Sequence, residues 1–589
     1  MKPVIIKTYL SPTLVLLAFD WEDGAASNDF LGFAVKRTPG FRPTQDAAAA
    51  PFSWLPNRIG FNGPNDNGAD MPSNTNPLQH FQWWDAQINT EDRGTDFTYE
   101  VYPVKGPYNT LTLVDDAKAT VTCTIPQTEE QGIGTYFNRA VVSSQAFARE
   151  FGHITTHAQY QAALAWLANG MNEGLLNFIN KAKGVGLAVA SYHLTDQEWV
   201  VPALTQFNAD ASVVYFYKHP SPAGKGGDNA NAASVALMSS NPKISFFQRT
   251  KTNIMHDKFM VRTPTLNPAD AQAVTMGTAN YTTEGLTQQA NVIHTFESSA
   301  LAGLYLKRQQ LLTQDPSVGQ TAQGAAWSDQ ITIGDANVRV FFAPEAPAGT
   351  KTSDGSRLSI DAVVNAVKNA KESVMFSLFS ATDKQLLDAC LAVAESGKLM
   401  RGLVNSISTK TPVDNTDEPE NASTAAATWL FERSKDDNMV VGHDSFGANN
   451  TPLGFWQESN TLVDPTAPKP AGDAKHFIPP VFVHQKIVII DGTTDNPIIF
   501  VGSANLSGNS TWHNDENLLE ITNCPRLGGT YVAEFMRLYE QYRARFSWNN
   551  HQQDNPAIKT FSLAKDTSWA AKDYKAGTME YLARIAFSS

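Results

Sequence analysis

His484-Gln485-Lys486-Ile487-Val488-Ile489-Ile490-Asp491-Gly492, followed by Ile498-Ile499-Phe500-Val501-Gly502-Ser503-Ala504-Asn505, decides the fold. In an extended chain residues i and i+2 share a face, so His484 and Lys486 project together. Ile487 to Ile490 is apolar on both faces, the mark of an interior strand in an α/β sheet. Asp491-Gly492 turns the chain. The next strand then returns Gly502, Ser503 and Asn505 alongside the His-Lys pair, and the glycine allows a close backbone approach.

The same order occurs earlier. His256-Asp257-Lys258 runs into Phe259-Met260-Val261, and Ala273-Val274-Thr275-Met276 then delivers Gly277-Thr278-Ala279-Asn280. Helical patterns follow each copy, over 301–312 and 531–543. Strand and helix patterns alternate before each copy as well. In the first half, helical composition over 158–182 precedes strands at 186–190, 212–216 and 244–247. In the second, a strand at 338–342 leads to a helix over 360–370, whose stripe is Ala362, Val363, Ala366, Val367 and Ala370, then to a strand at 374–379 and a helix over 384–395. The repeat is one of order more than of identity.

Residues 1–128 read differently. Short apolar or alternating runs at 4–6, 14–19, 30–35, 97–104 and 110–114 are separated by Gly, Pro, Asn and Asp, which predicts an all-β domain. The expected organisation is multidomain: an N-terminal β-sandwich of immunoglobulin or fibronectin type over 1–128, then two α/β halves over 129–325 and 326–589, packed with pseudo-twofold symmetry. Phe81-Gln82-Trp83-Trp84 reads as core or inter-domain packing, with a lipid- or sugar-contacting surface as the alternative. Two polar stretches, 220–231 and 409–420, read as exposed loops. The apolar islands Trp429-Leu430-Phe431 and Phe455-Trp456 read as anchors for a long connection, with an access channel as the alternative.

With 58 Asp plus Glu against 45 Lys plus Arg, the net charge is −13, which argues against tight non-specific nucleic-acid binding. Cys123, Cys390 and Cys524 are too widely spaced for a disulfide framework or zinc motif. No run is long and apolar enough to span a membrane, and 14–19 reads as a strand rather than a secretory signal.

Two histidines, two lysines and two asparagines suit a composite site for breaking a phosphodiester: one histidine attacks phosphorus, the other protonates the leaving oxygen, and the remaining groups hold the phosphate. The duplicated pattern resembles the phospholipase D superfamily, whose motif is His-x-Lys-x4-Asp followed by Gly-Ser/Thr-x-Asn, over residues 130 to 589. The resemblance is most like a bacterial-type phospholipase D. It implies transfer through a covalent phosphohistidine, with His256, Lys258, His484 and Lys486 catalytic, and with Asn280, Asn505, Thr278 and Ser503 at the phosphate. It also implies a carboxylate partner for each histidine from the opposite half. Glu516 matches that position and is expected to face His256, with Asp515 as competitor. The matching first-half stretch, Gln289-Ala290-Asn291, has no acid. His256 is therefore expected to be the nucleophile and His484 the general acid and base. His294 and His513 lie near the motifs without matching them and are read as non-catalytic.

The second copy matches fully, with Asp491 as a supporting residue. In the first copy Thr263 stands where the motif has Asp, and Gly277 follows His256 by 21 residues where Gly502 follows His484 by 18. Asp270 is the one nearby acid that could compensate. The resemblance implies no metal or other cofactor, and no calcium-loop motif is present. The expected activity is hydrolysis of glycerophospholipids such as phosphatidylcholine to phosphatidic acid and free head group, with transphosphatidylation to alcohols. The expected partner is phospholipid at a membrane or micelle surface, with water or alcohol as acceptor and no obligate nucleic acid. A soluble protein is expected, its localisation left open with a secreted bacterial enzyme as one reading, and monomeric because both motifs share one chain. The alternatives are a nuclease or other phosphodiesterase of the superfamily, and an inactive phosphate-binding scaffold.

Overall fold

The computed structural model describes the chain except residues 44–46, 65–68, 220–226, 347–356, 408–421, 436–438, 443–461, 467–480, 555–556 and 558–559. The repeat read from the sequence becomes two mixed sheets of identical strand order. Along the first lie Glu129–Glu130, Ile133–Phe137, Val292–Phe296, Ala273–Gly277, Lys258–Arg262, Leu187–Ser191, Ala211–Phe216 and Ile244–Arg249. Along the second lie Ile331–Ile333, Ala336–Ala343, Glu516–Thr522, Ile498–Gly502, Lys486–Ile490, Ser373–Leu378, Leu399–Val404 and Val440–Gly442. In each sheet the last three strands are parallel to one another and the remaining neighbours are antiparallel.

Period-two alternation sorts the first sheet's side chains into two cores. Leu187, Val189, Val213, Met260 and Ile293 pack with the helices Met171–Ala182 and Val200–Thr205. Ala188, Ala190, Phe259, Val261, Val274 and Met276 face the other way, into a larger core that includes the second sheet. The helix Ser299–Thr313 covers that face with Leu301, Tyr305 and Leu306. The predicted single or double helix over 158–182 is two helices, His157–Ala168 and Met171–Ala182, broken where Asn169 and Gly170 take left-handed backbone angles. Trp429 and Leu430 lie on the helix Ala422–Lys435 and are buried in the shared core, the anchoring reading of that island. Phe455-Trp456 and residues 409–420 lie outside the described residues.

The N-terminal region is two antiparallel sheets packed on an aromatic core. Ile5–Ser11, Leu14–Asp20 and Gln82–Asp85 form one. The other is built on Phe30–Thr38 and Asp96–Lys105. Its core is completed from the far end of the chain: Trp569 stacks on Phe81 at 5.3 Å, and Tyr574 meets the same ring edge-on. The 30-residue helix Pro525–Asp554 is far longer than the 531–543 pattern predicts, because it serves two surfaces. Toward the N-terminal sheet, its Glu534 accepts from the hydroxyls of Ser11 and Thr13, and Thr530 donates to Leu10 O. Toward the second sheet, it buries Phe535, Leu538 and Tyr542 in the main core. No helix among the described residues is long and apolar enough to cross a membrane.

Candidate active site

Each histidine is supplied by one half and clamped by the other. His256 lies just before Lys258–Arg262, and its backbone N–H donates to Asp515 O of the second half at 2.8 Å. His484 lies just before Lys486–Ile490, and its N–H donates to Ala290 O of the first half at 3.1 Å. The two rings stand 6.5 Å apart, centroid to centroid, at 72°. Each lysine ammonium donates to its own histidine's carbonyl at 2.5 Å. Tyr192 packs on His256 and Phe379 on His484, both at 5.3 Å.

The residues behind the rings differ. His256 Nδ1 bonds Glu516 Oε2 at 2.8 Å, and Glu516 Oε1 accepts from Ser510 Oγ and Asn514 Nδ2. Asp515 does not compete, because its carboxylate is taken by Arg249 at 2.8 Å and approached by Arg308. Losing Arg249 would leave that buried charge under-compensated, at a cost of about 3–5 kcal/mol. His484 Nδ1 bonds Asn291 Oδ1 at 3.0 Å. Asn291 Nδ2 donates to Gly285 O and Thr278 Oγ1 donates to Asn291 Oδ1, which fixes that oxygen as the acceptor. Both Nδ1 atoms therefore carry hydrogen, and both Nε2 atoms keep a free lone pair.

Thr278 and Ser503 both make hydrogen bonds inside the protein. Thr278 is bonded to Asn291, and Ser503 Oγ accepts from the backbone N–H of Asn517, so each hydroxyl positions the strand that carries the histidine's partner. Asn280 and Asn505 are different: the side-chain amide oxygen of each is buried without a hydrogen-bond partner among the described residues. A phosphate oxygen would take the amide N–H of either residue, not that oxygen. Gly277 and Gly502 are required by the neighbouring strand rather than by a ligand. A Cβ there would stand 2.2 Å from Val292 O and 2.3 Å from Asn517 O.

Asp491 sits at the opposite end of its strand from His484. Its carboxylate accepts from the backbone N–H groups of Lys371, Glu372 and Ser373, pinning the start of the neighbouring strand. The backbone bond at this join is common to both halves, Thr263 N–H to Gly186 O and Asp491 N–H to Ser373 O, and the second half adds the carboxylate to it. Asp270 is exposed and bonds Thr265 nearby, so it does not take the missing position. His294 is locked between Thr135 and Tyr531 in the core, and His513 ends a short helix, where its carbonyl accepts from Asn253.

Burial sets the electrostatics of the site. It pushes the His256 pKa down to about 4, and Lys258 and Lys486 add to this against the pull of Glu516. Burial and the two lysines hold His484 well below its ordinary range. Lys258 is lowered to about 7 and Lys486 is depressed as well, both mainly by burial. Burial would raise Glu516, but the charge of His256 and its hydrogen bond bring it below the usual carboxylate value. Four cation-forming groups thus share one dry space with a single carboxylate, an arrangement that an anion would relieve.

Sequence reasoning located the stretch that holds Asn291 without giving Asn291 a role, and it missed Tyr192 and Phe379. One signal was available: Asn291 follows Gly277 by 14 residues, as Glu516 follows Gly502. Residues 363–543 match the family described as "Cardiolipin synthase, PLD-like domain". That segment of the chain carries a phospholipase D-like domain. No curated protein matches the chain by sequence. Among solved structures it is similar to phosphatidylserine synthase from Haemophilus influenzae Rd KW20 at 12% identity, covering 64% of this chain and 85% of that one, with a TM-score of 0.38. It is also similar to the phospholipase D family member Nuc from Salmonella typhimurium (17% identity, 35% and 95% covered, TM-score 0.21) and to yeast tyrosyl-DNA phosphodiesterase (9% identity, 58% and 84% covered, TM-score 0.30).

Proposed function

We propose that this superfamily phosphodiesterase is a phospholipase D, and that His256 is its nucleophile. The observation that carries the assignment is the unequal backing of the two rings: a buried carboxylate behind His256, a neutral amide behind His484. Attack through His256 Nε2 leaves a positive imidazole bearing the phosphoryl group, and Glu516 at Nδ1–H stabilises that charge. As the P–N bond forms, the P–O bond to the leaving alcohol breaks, and His484 Nε2–H gives that oxygen its proton. His484 then takes a proton from water, the hydroxide displaces His256 from phosphorus, and the phosphate monoester leaves. An alcohol entering in place of water gives the transfer product.

His484 must be protonated to start this cycle, although burial holds its pKa well below the ordinary range. A phosphodiester anion beside the rings favours one added proton, and the cycle runs from the form that carries it on His484 Nε2 with His256 Nε2 free. Lys258, Lys486, Asn280 and Asn505 then hold the non-bridging oxygens. The proposed substrate is a glycerophospholipid such as phosphatidylcholine at a vesicle or micelle surface. A net charge of −13 opposes polyanionic nucleic acids, and Tyr192 and Phe379 give the site an apolar margin.

The test is to incubate the protein in EDTA with phosphatidylcholine vesicles and ethanol, and separately with single- and double-stranded DNA, beside His256→Asn and His484→Asn. Free choline and phosphatidylethanol, lost in both variants, are expected. Intact lipid with cleaved DNA overturns the substrate. A phosphoenzyme trapped on His484 overturns the assignment of the nucleophile.

A further inference from the structure

A second cleft lies where the N-terminal sheet, the first half and the helix Pro525–Asp554 meet. Its volume is about 460 Å³, and its walls include Trp83, Trp84, Trp166, Arg139, Arg537 and Gln541. That volume lies in the range of small-molecule sites. None of these residues touches either catalytic histidine, and the Trp83-Trp84 pair has no part in the chemistry above.

The charges in the cleft do not balance. Arg537 is compensated: its Nε donates to Glu534 and its two Nη groups to the carbonyls of Arg139 and Asn138. Glu540 is held by Arg543. Arg139 has no carboxylate partner among the described residues. Its guanidinium stacks on the Trp166 ring at 4.5 Å and donates to the Trp166 carbonyl, while Glu534 and Glu150 act on it only at a distance. Burial and the neighbouring Arg537 push its pKa down to about 10. A second polar group is also unspent: the indole N–H of Trp84 is buried without a partner. One uncompensated guanidinium calls for an anion, because a planar guanidinium donates to carboxylate or phosphate oxygens in pairs. Three indoles call for a ring that can lie against them.

We propose that this cleft binds a small ring-bearing anion, a carboxylate or phosphate carried on a sugar or aromatic ring, with Arg139 taking the anionic group and the tryptophans the ring. This site is independent of the phosphodiester site, and the proposal does not rest on the substrate assigned above.

The full-length protein would be titrated by calorimetry and by tryptophan fluorescence with three probes: uridine monophosphate, glucuronate and indole-3-acetate. A parallel titration of His256→Asn protein would show any binding that belongs to the histidine pair instead. We expect one-to-one binding of at least one probe. Its uncharged counterpart (uridine, glucose or indole) should bind at least about tenfold more weakly, and Arg139→Gln should lose about tenfold or more. Trp84→Phe should weaken binding several-fold while leaving the melting temperature near that of the parent. Arg139→Lys, which keeps the charge but not the fork, should fall between the parent and Arg139→Gln. Together with Trp84→Phe it carries the test if Arg139→Gln fails to fold. Which probe binds identifies whether the ring is a nucleoside, a sugar or an aromatic acid. Three results would each overturn the proposal: no binding of any probe at about millimolar concentration, affinity unchanged by the Arg139 and Trp84 variants, or Arg139-dependent binding of anionic-lipid vesicles without binding of any ring anion.

Discussion

Glu516 and Asn291 occupy the same place in the two halves, fourteen residues after Gly277 or Gly502 and one hydrogen bond behind a histidine, yet one is an acid and the other an amide. The frame around them is nearly superimposable in kind: a strand-start lysine bonded to the histidine carbonyl, an aromatic ring against the imidazole, and a backbone bridge from the opposite half. A duplicated scaffold therefore supplies two identical positions for two different jobs, and a single side chain behind each ring separates them. A carboxylate favours the charged ring that a phosphohistidine becomes. An amide orients its ring without holding it charged, which suits a group that must both give and take a proton.

The largest expected effect tests which ring attacks. Replacing His256 by Asn should remove turnover by about 10⁴-fold or more and abolish the phosphoenzyme. His484→Asn should also stop turnover but leave a trapped phosphoenzyme on His256 when the leaving group needs no proton, as with p-nitrophenyl phosphodiesters. Acid-quench mass spectrometry of the modified peptide reads the difference, and equal labelling of both rings would erase the distinction between the halves.

Next comes the pair of backing residues. Glu516→Gln should lower kcat by about 10²-fold or more while changing KM little, because the carboxylate acts on charge that develops during reaction. Asn291→Ala should cost less, through loss of ring orientation alone. Asn291→Asp should raise the pKa of His484, since an opposite charge favours the imidazolium, and move the basic limb of the pH–rate profile upward by about 1–3 units. A profile that does not move would show that Asn291 contributes packing only.

Burial of the two histidines should also make stability depend on pH. The folded pKa of His256 is lowered from 6.5 to about 4, and His484 is depressed too. Between those values the unfolded chain holds protons that the folded chain refuses, so stability is full above about 6.5 and is lost as the pH falls toward 4. The His256 shift alone corresponds to about 3 kcal/mol. Melting temperatures from pH 7 to 4.5 should fall steeply in the parent, less in His256→Asn, and less again when inorganic phosphate occupies the site.

The smallest effect on chemistry is expected at the motif's own aspartate. Asp491→Ala removes the acceptor of three backbone N–H groups and should lower stability by about 1–3 kcal/mol, yet leave kcat of the folded fraction within about twofold. Thr263→Asp should leave activity unchanged, because Thr263 follows the far end of the strand Lys258–Arg262 from His256. A large loss of kcat in Asp491→Ala would return that residue to the phosphate site.

Much of this was legible in the chain. Two apolar strand pairs, each opened by His-x-Lys and closed by Gly-x-x-Asn, determine a duplicated α/β fold, because an interior strand must be apolar on both faces and its polar residues can lie only at its ends. The same spacing singled out His256, His484, Lys258 and Lys486, and the Asp515-Glu516 segment as the source of a carboxylate. Motif position pointed to Glu516 and left Asp515 as its competitor. Adjacent residues on a strand face opposite sides, and only the packing of Arg249 and Arg308 against one side settles which acid is neutralised and which is left for a histidine. Sequence could not show that Thr278 and Ser503 serve the partner strand, that Trp569 completes a core more than 450 residues away from Phe81, or that Trp83, Trp84 and Arg139 line one cleft. Those are contacts between elements remote in the chain. Local pattern encodes the face a residue presents, whereas tertiary packing decides what that face meets.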